Sequence, residues 1–488
     1  MRPFFIAAAL VSLITTGVRA TPPKLPELKP LHFRVPKGKR FELSNKLVVY
    51  FLEDHELPQV QLSVMFHGGA VADPADKIGL TSLYAAIWPY GGTKKIKADE
   101  LTKELELMAS SVHAGAGEES VGLSLFSLSK NFDRTLDLFA QIMVAPSLDA
   151  GKLEVEKKKV LAGIARRNDE PRNIAAREFK RVVYGPNSPW GWRTEPATIQ
   201  KISRRDLVEL HRRLIHPNNA VVSVSGDITE AELKRKLEWA LGSKVWPMAA
   251  VESPAVGLSP GSSSRAIYLA HKKTAQQSAI RLGRLGVSRH HPDFFKLKVL
   301  DEILGGGFSS RLFRNIRSRK GLAYSVGSGF TTPQVDGLML CAVGTKAETT
   351  VRAIEEVLAE IESLRQAPPT DEELEIAKSQ LINSFVQNFR TTDQTAGRIA
   401  ELEFYGYSSD YLDTYTDHLA KVSKDDVWQA AKKYWDPKNA LILVVGNPEK
   451  FDKDLSSLGA VKILDPDSGA IKEPHEQNPR GDQKSAQE

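Results

Sequence analysis

The chain has 488 residues, too many for one domain of ordinary size, and 41% of them are hydrophobic, enough to bury a sizeable core. Its formal charge of +6 lies in basic runs such as 157–159, 166–167 and 204–205 that are interleaved with acids on helical stretches, which argues against a nucleic-acid partner. A single cysteine, Cys341, excludes an internal disulfide and a cysteine-built metal site.

Residues 1–20 read as a secretory signal, with Arg2 as the basic start, an apolar core over 4–14, and Val18-Arg19-Ala20 as a small-x-small cleavage site. The apolar core is shorter than the ~20 residues a spanning helix needs. No later segment is long and apolar enough either, and no cysteine lies near the cleavage site. The expectation is an exported protein, periplasmic or secreted, with no membrane span after cleavage near Thr21. Removing Arg2 and Arg19 would lower the formal charge from +6 to +4.

Beyond a Pro-rich lead-in over 21–36, β-branched runs predict a strand pair at 47–52 and 60–66. Three further elements, a helix at 79–88, an edge strand at 110–116 and a helix at 153–164, are what the family resemblance stated below implies. Then Ser203 caps a helix that runs to Pro217, and a buried strand follows, ending at Gly226. The stretch 248–265, rich in Ala, Pro, Gly and Ser, suits a linker. After it a second strand pair is predicted at 266–269 and 277–285, then a helix over 292–304. From 465 to 488 the chain is polar and charged, and a disordered tail is expected.

The chain also repeats itself. I-S-R-R-D-L at 202–207, followed by P-N-N-A-V-V-S-V-S-G at 217–226, returns as V-S-K-D-D-V at 422–427 and P-K-N-A-L-I-L-V-V-G at 437–446, an offset of 220 throughout. The predicted fold is therefore α+β, two homologous sheet-plus-helix domains over 37–247 and 266–464.

Two segments carry a family resemblance. Residues 79–93, G-L-T-S-L-Y-A-A-I-W-P-Y-G-G-T, resemble the G-L-A-H-F-L-E-H-x-L-x-x-G-T segment of pitrilysin/insulinase-family metallopeptidases, the inverted zincins. Residues 304–326, L-G-G-G-F-S-S-R-L-F-R-N-I-R-S-R-K-G-L-A-Y-S-V, resemble the family's G-G-G-x-S-S-R-L-F-x-x-[IV]-R-x-x-x-G-L-[AG]-Y signature. On the first alignment Ser82, Ala85 and Ala86 stand at the first His, the Glu and the second His of H-x-x-E-H. A zinc site needs two imidazoles at i and i+4 and a carboxylate to activate water, and neither Ser nor Ala can serve. In the helix at 153–164, Glu156 keeps the family's outer carboxylate while Gly163 replaces the third ligand. The chain is thus expected to bind no metal and no cofactor, any zinc being on a partner.

The resemblance implies a clam-like half-chamber and, for Arg317 and Tyr324, substrate binding across that chamber at a partner's zinc site. It implies a non-catalytic subunit paired with an H-x-x-E-H-bearing family member and acting on peptides or unfolded polypeptides. The rival reading is a homodimeric peptide-binding or scaffolding protein of the cell envelope; a third, an enzyme with a different site, finds no base beside Ser82. His113 sits where the family's peptide-binding edge strand has Asn, and the loop pair His290-His291 lacks a third metal partner.

Overall fold

The computed structural model describes residues 35–250 and 265–473. The signal, nearly all of the lead-in, 251–264 of the linker and 474–488 lie outside the described residues. The first half runs β1 (Lys39–Glu42), β2 (Val48–Glu53), β3 (Gln59–His67), α1 (Leu80–Ile87) and α2 (Ala98–Leu107). It continues with β4 (Ser111–Ala116), β5 (Ser120–Leu128), α3 (Phe132–Val144), α4 (Ala150–Ala165) and α5 (Pro171–Tyr184). It ends with α6 (Pro196–Lys201), α7 (Arg204–Leu214), β6 (Ala220–Gly226) and α8 (Glu230–Leu241).

The second half repeats this order. It has β7 (Ala266–His271), β8 (Gln277–Leu285), α9 (Phe294–Asp301), β9 (Ala323–Phe330) and β10 (Leu338–Lys346). Then come α10 (Thr350–Gln366), α11 (Asp371–Val386), α12 (Thr392–Phe404), α13 (Tyr411–Lys421), α14 (Lys424–Tyr434) and β11 (Leu441–Gly446). The last strands are β12 (Val461–Leu464) and β13 (Ile471–Lys472). The first sheet has the order β1-β2-β6-β3-β5-β4 and the second β13-β12-β7-β11-β8-β10-β9, so β2-β6-β3-β5-β4 and β7-β11-β8-β10-β9 correspond.

The two copies of the repeated motif fold alike. Ser203 and Asp206 form a capping box at the start of α7, and Ser423 and Asp426 form one at α14. The β-branched runs that follow become β6 and β11, buried at every position. Each pairs in parallel with β2 or β7 on one side and antiparallel with β3 or β8 on the other, so both of its hydrogen-bonding edges are satisfied.

Each half lends a helix to the other. The first half's α5 lies on the second sheet, where Ile174, Ala175, Phe179, Val182 and Val183 pack with Leu441, Leu443 and Val445. The second half's α12 lies on the first sheet, where Ala400 and Phe404 pack with Val221, Val48, Tyr50 and Met65. Tyr50 Oη donates to Glu403 Oε2 at 2.8 Å, and Arg40 Nη2 donates to its Oε1 at 3.0 Å.

The expected tail at 465–488 is corrected for its first nine residues. Val461–Leu464 and Ile471–Lys472 form a hairpin whose turn is gripped by arginines of the first half. Arg193 Nη2 donates to the Asp467 carbonyl at 2.8 Å, Arg167 Nη2 to the same oxygen at 3.0 Å, and Arg181 to the Gly469 carbonyl. Behind them Glu178, 0% exposed, pairs with Arg177 at 2.8 Å, Arg193 at 2.9 Å and Arg181 at 3.5 Å. A polar, charged segment needs no apolar side chains to be ordered when its carbonyls meet guanidiniums held by a buried carboxylate. Among the described residues no helix is long and apolar enough to cross a membrane.

With α5 and α12 each buried in the opposite half, both halves should melt in one calorimetric transition. Phe179→Ala should move all of it, at a cost of about 3–5 kcal/mol. Two resolved transitions would show the halves to be independent.

Candidate functional site

The helix α1 is held by one face and empty on the other. Gly79 precedes it at φ +103, a left-handed position that suits glycine. The buried Asp73 carboxylate accepts from the Gly79 and Thr81 N–H groups at 2.9 and 3.0 Å, satisfying donors at the helix start. Leu80, Leu83, Tyr84, Ile87 and Trp88, at helical spacing, are all buried. Trp88 Nε1 donates to the Ile142 carbonyl at 2.9 Å, and Tyr84 Oη lies 2.8 Å from His211 Nδ1 on α7.

The outer face presents Ser82 and Ala86 to solvent, while Ala85 is 4% exposed. Helix α4 packs against α1 and carries Gly163, itself exposed; a Cβ built there meets nothing within 4 Å. Glu156, on the same helix, is engaged by Lys159 at 2.6 Å. Of the four degenerate positions only Ser82 offers a polar side chain, so the residues present do not fit zinc. No group of three His, Cys, Asp or Glu that could hold a metal occurs among the described residues.

Strand β4 is the edge of the first sheet, the position that the family resemblance implies. His113 on it is exposed, and its Nδ1 lies 3.1 Å from the Oη of Tyr90, just past α1. His290 and His291 are taken up locally: His290 Nε2 donates to the Tyr405 carbonyl at 2.9 Å, and His291 Nδ1 accepts from the Asp293 N–H at 3.0 Å.

In the second half the segment Phe313–Arg319 is wound as a π-helix and ends near Gly321 at φ +61. Its cations are mostly committed to the fold. Arg311 binds Glu373 through two bonds of 2.8 and 2.7 Å, Arg314 reaches the same carboxylate at 3.4 Å, and Lys320 pairs with Glu356. Arg317 and Arg319 are exposed and have no carboxylate partner among the described residues; Arg319 Nη1 donates to Asn315 Oδ1 at 3.2 Å, while Arg317 stacks 4.7 Å from the Phe313 ring centre. Tyr324 is 51% exposed at a register shift where β9 meets β10. Its ring covers Gly344, where a Cβ would come within 2.5 Å of Cζ. Neither the Arg317 donors nor the Tyr324 hydroxyl are spent on a hydrogen bond within the described chain.

The comparisons follow this division. Residues 48–187 match "Insulinase (Peptidase family M16)" and residues 201–381 match "Peptidase M16 inactive domain". The chain belongs to the insulinase (M16) family. With both imidazoles, the base and the third ligand replaced, it is a non-peptidase homologue within it. It is 24% identical to the "Non-peptidase homolog YmxG" of Helicobacter pylori over 83% of this chain and 93% of that protein. It is 23% identical to "Zinc protease PqqE" of the same organism, over 80% and 90%. The fold matches the crystal structure of a peptidase M16 inactive domain from Pseudomonas fluorescens, with TM-score 0.76, 23% identity, and 84% and 98% coverage.

Sequence reasoning located α1, α4 and the Arg317/Tyr324 segment but missed the Tyr90–His113 contact and the buried Tyr84–His211 pair. A polar side chain in the last turn of an amphipathic helix, as His211 is in α7, was the available signal.

Two outcomes test the site. The wild-type chain should show no change in thermal midpoint with zinc or a chelator. Ser82→His/Ala86→His/Gly163→Glu, placed on a solvent-facing surface, should gain a zinc-dependent rise; zinc stabilising the wild type would contradict this account. Burial holds the His211 imidazole down at about 4, against about 6.5 in the unfolded chain. Between those values the unfolded chain binds more protons, so this contribution is present above pH 6.5 and is lost as pH falls toward 4, about 3 kcal/mol in all. His211→Gln should flatten the pH dependence of the denaturant midpoint in that window, and an unchanged slope would count against the pair.

Proposed function

We propose that this chain is the non-catalytic subunit of an exported heterodimeric zinc peptidase, and that it lends Arg317 and Tyr324 to a partner bearing H-x-x-E-H. The observation that carries the reading is the one-sided loss. Every metal-binding position on α1 and α4 is without a ligand atom of the required type, while Arg317 and Tyr324 keep free donors beside paired neighbours. The guanidinium can hold a peptide carbonyl or carboxylate through several donors, and the phenol can donate toward a developing oxyanion. The partner would bring the metal and the water-activating carboxylate. That one organism contains both a non-peptidase homologue and a zinc protease similar to this chain supports a division of labour. Export rests on the segment 1–20.

Affinity capture of the tagged chain from its own cell envelope should bring down a stoichiometric H-x-x-E-H partner. In the reconstituted pair Tyr324→Phe should lower kcat by about 10²-fold, the effect of losing one oxyanion donor. Arg317→Ala should raise KM for peptides, since it removes a binding contact. Recovery of the chain alone as a dimer, or unchanged kinetics in both variants, would overturn the proposal and leave a peptide-binding or scaffolding homodimer.

A further inference from the structure

Arg281 on the second sheet and Arg172 on the helix that covers it are cations with no carboxylate partner among the described residues. Alternation along β8 puts Ala279, Arg281 and Gly283 on the face covered by α5, and Ile280 and Leu282 on the other. Arg281 is only partly exposed in this central strand. Its neighbour across β10 is Ala342, and beyond that Gly327 on β9; one pair further along stand Gly344 and Ser325. From Arg281 toward the free β9 edge the floor is therefore built of small residues, bounded by the Tyr324 ring over Gly344.

Burial, and after it the like charge of Arg172, lowers the Arg281 guanidinium's affinity for its proton. Arg172 is exposed in the first turn of α5, where the helix dipole disfavours a cation. Neither has a hydrogen bond or carboxylate partner among the described residues. The contrast on the same helix is direct, because Arg177 and Arg181 are both paired with Glu178. Two guanidiniums on packed elements, α5 and β8, one of them in a sheet interior, are destabilising unless an anion joins them.

We propose that Arg281 and Arg172 form a carboxylate-binding site that selects peptides with an acidic side chain about four residues from the group held at Tyr324. The spacing follows from sheet geometry: two strand separations across and three residues along give roughly 14 Å, the length of about four extended residues. This inference rests on the peptide-holding reading above and adds to it the charge class of the substrate.

The test is fluorescence anisotropy on the full chain at low salt, using a labelled Gly-Ser peptide with paired Glu and its Gln counterpart. The Glu peptide should bind roughly tenfold tighter, as expected for a charge-assisted contact. Arg281→Gln and the surface variant Arg172→Gln should each remove that preference while leaving the Gln peptide's affinity unchanged. Arg281→Met should also raise the thermal midpoint, because it keeps the stem and deletes an unpaired charge; a lowered midpoint would overturn the premise. Equal affinity for the two peptides, or a preference that persists in both Gln variants, would overturn the site and leave peptide holding intact. Binding of neither peptide would overturn both.

Discussion

The reciprocal exchange of α5 and α12 is the constraint on which the rest of the structure depends. A sheet with helices on one face still exposes apolar surface on the other, and here each half covers its partner's open face with one helix. Phe179 and its neighbours are therefore core residues of the half that does not encode them. The buried Glu178 adds an electrostatic lock at the same junction, since its arginines also bind carbonyls of the turn between β12 and β13. Such an arrangement fixes the two sheets relative to each other and so fixes the surface between them.

The helix α1 shows how a catalytic element can lose its chemistry and keep its fold. Its stability comes from Leu80, Leu83, Tyr84, Ile87 and Trp88, and from the Asp73 carboxylate at its start. None of these is a position that the zinc site requires. Replacement of ligands by Ser82, Ala86 and Gly163 on the outer face removes only groups that a metal would have satisfied. The two imidazole positions, Ser82 and Ala86, lie on the face away from the core, so those ligands can be lost while the helix keeps its packing.

Charge pairing separates structure from function more sharply than exposure does. Arg311, Arg314 and Lys320 have carboxylates within the fold, and Arg317, in the same segment, has none. Arg172 and Arg281 stand apart from Arg177 and Arg181 in the same way. Unpaired guanidiniums next to paired ones mark the places where an outside group would complete the electrostatics.

The 220-residue repeat and the strand pairs were legible in the sequence, because each is set by local periodicity, capping residues or motif spacing, while the edge position of β4 and the empty zinc helix were legible through the family resemblance. Ser203 and Ser423 start their helices through contacts three residues away, and β6 and β11 announce themselves as valine-rich runs ending at glycine. The helix exchange was not legible, since α5 and α12 are ordinary amphipathic helices and nothing in their sequences says whose sheet they cover. Nor was the order of 465–473, whose polar residues looked unable to bury anything and are held by distant arginines. The placement of Arg281 under the helix that carries Arg172 belongs to the same class. The sequence by itself determined the elements, the repeat and the loss of metal ligands, because these depend on neighbours along the chain. Only the tertiary structure decided which charges find partners, because it depends on which side chains the packing brings together, as it brings Arg311 to Glu373 and leaves Arg317 without a carboxylate.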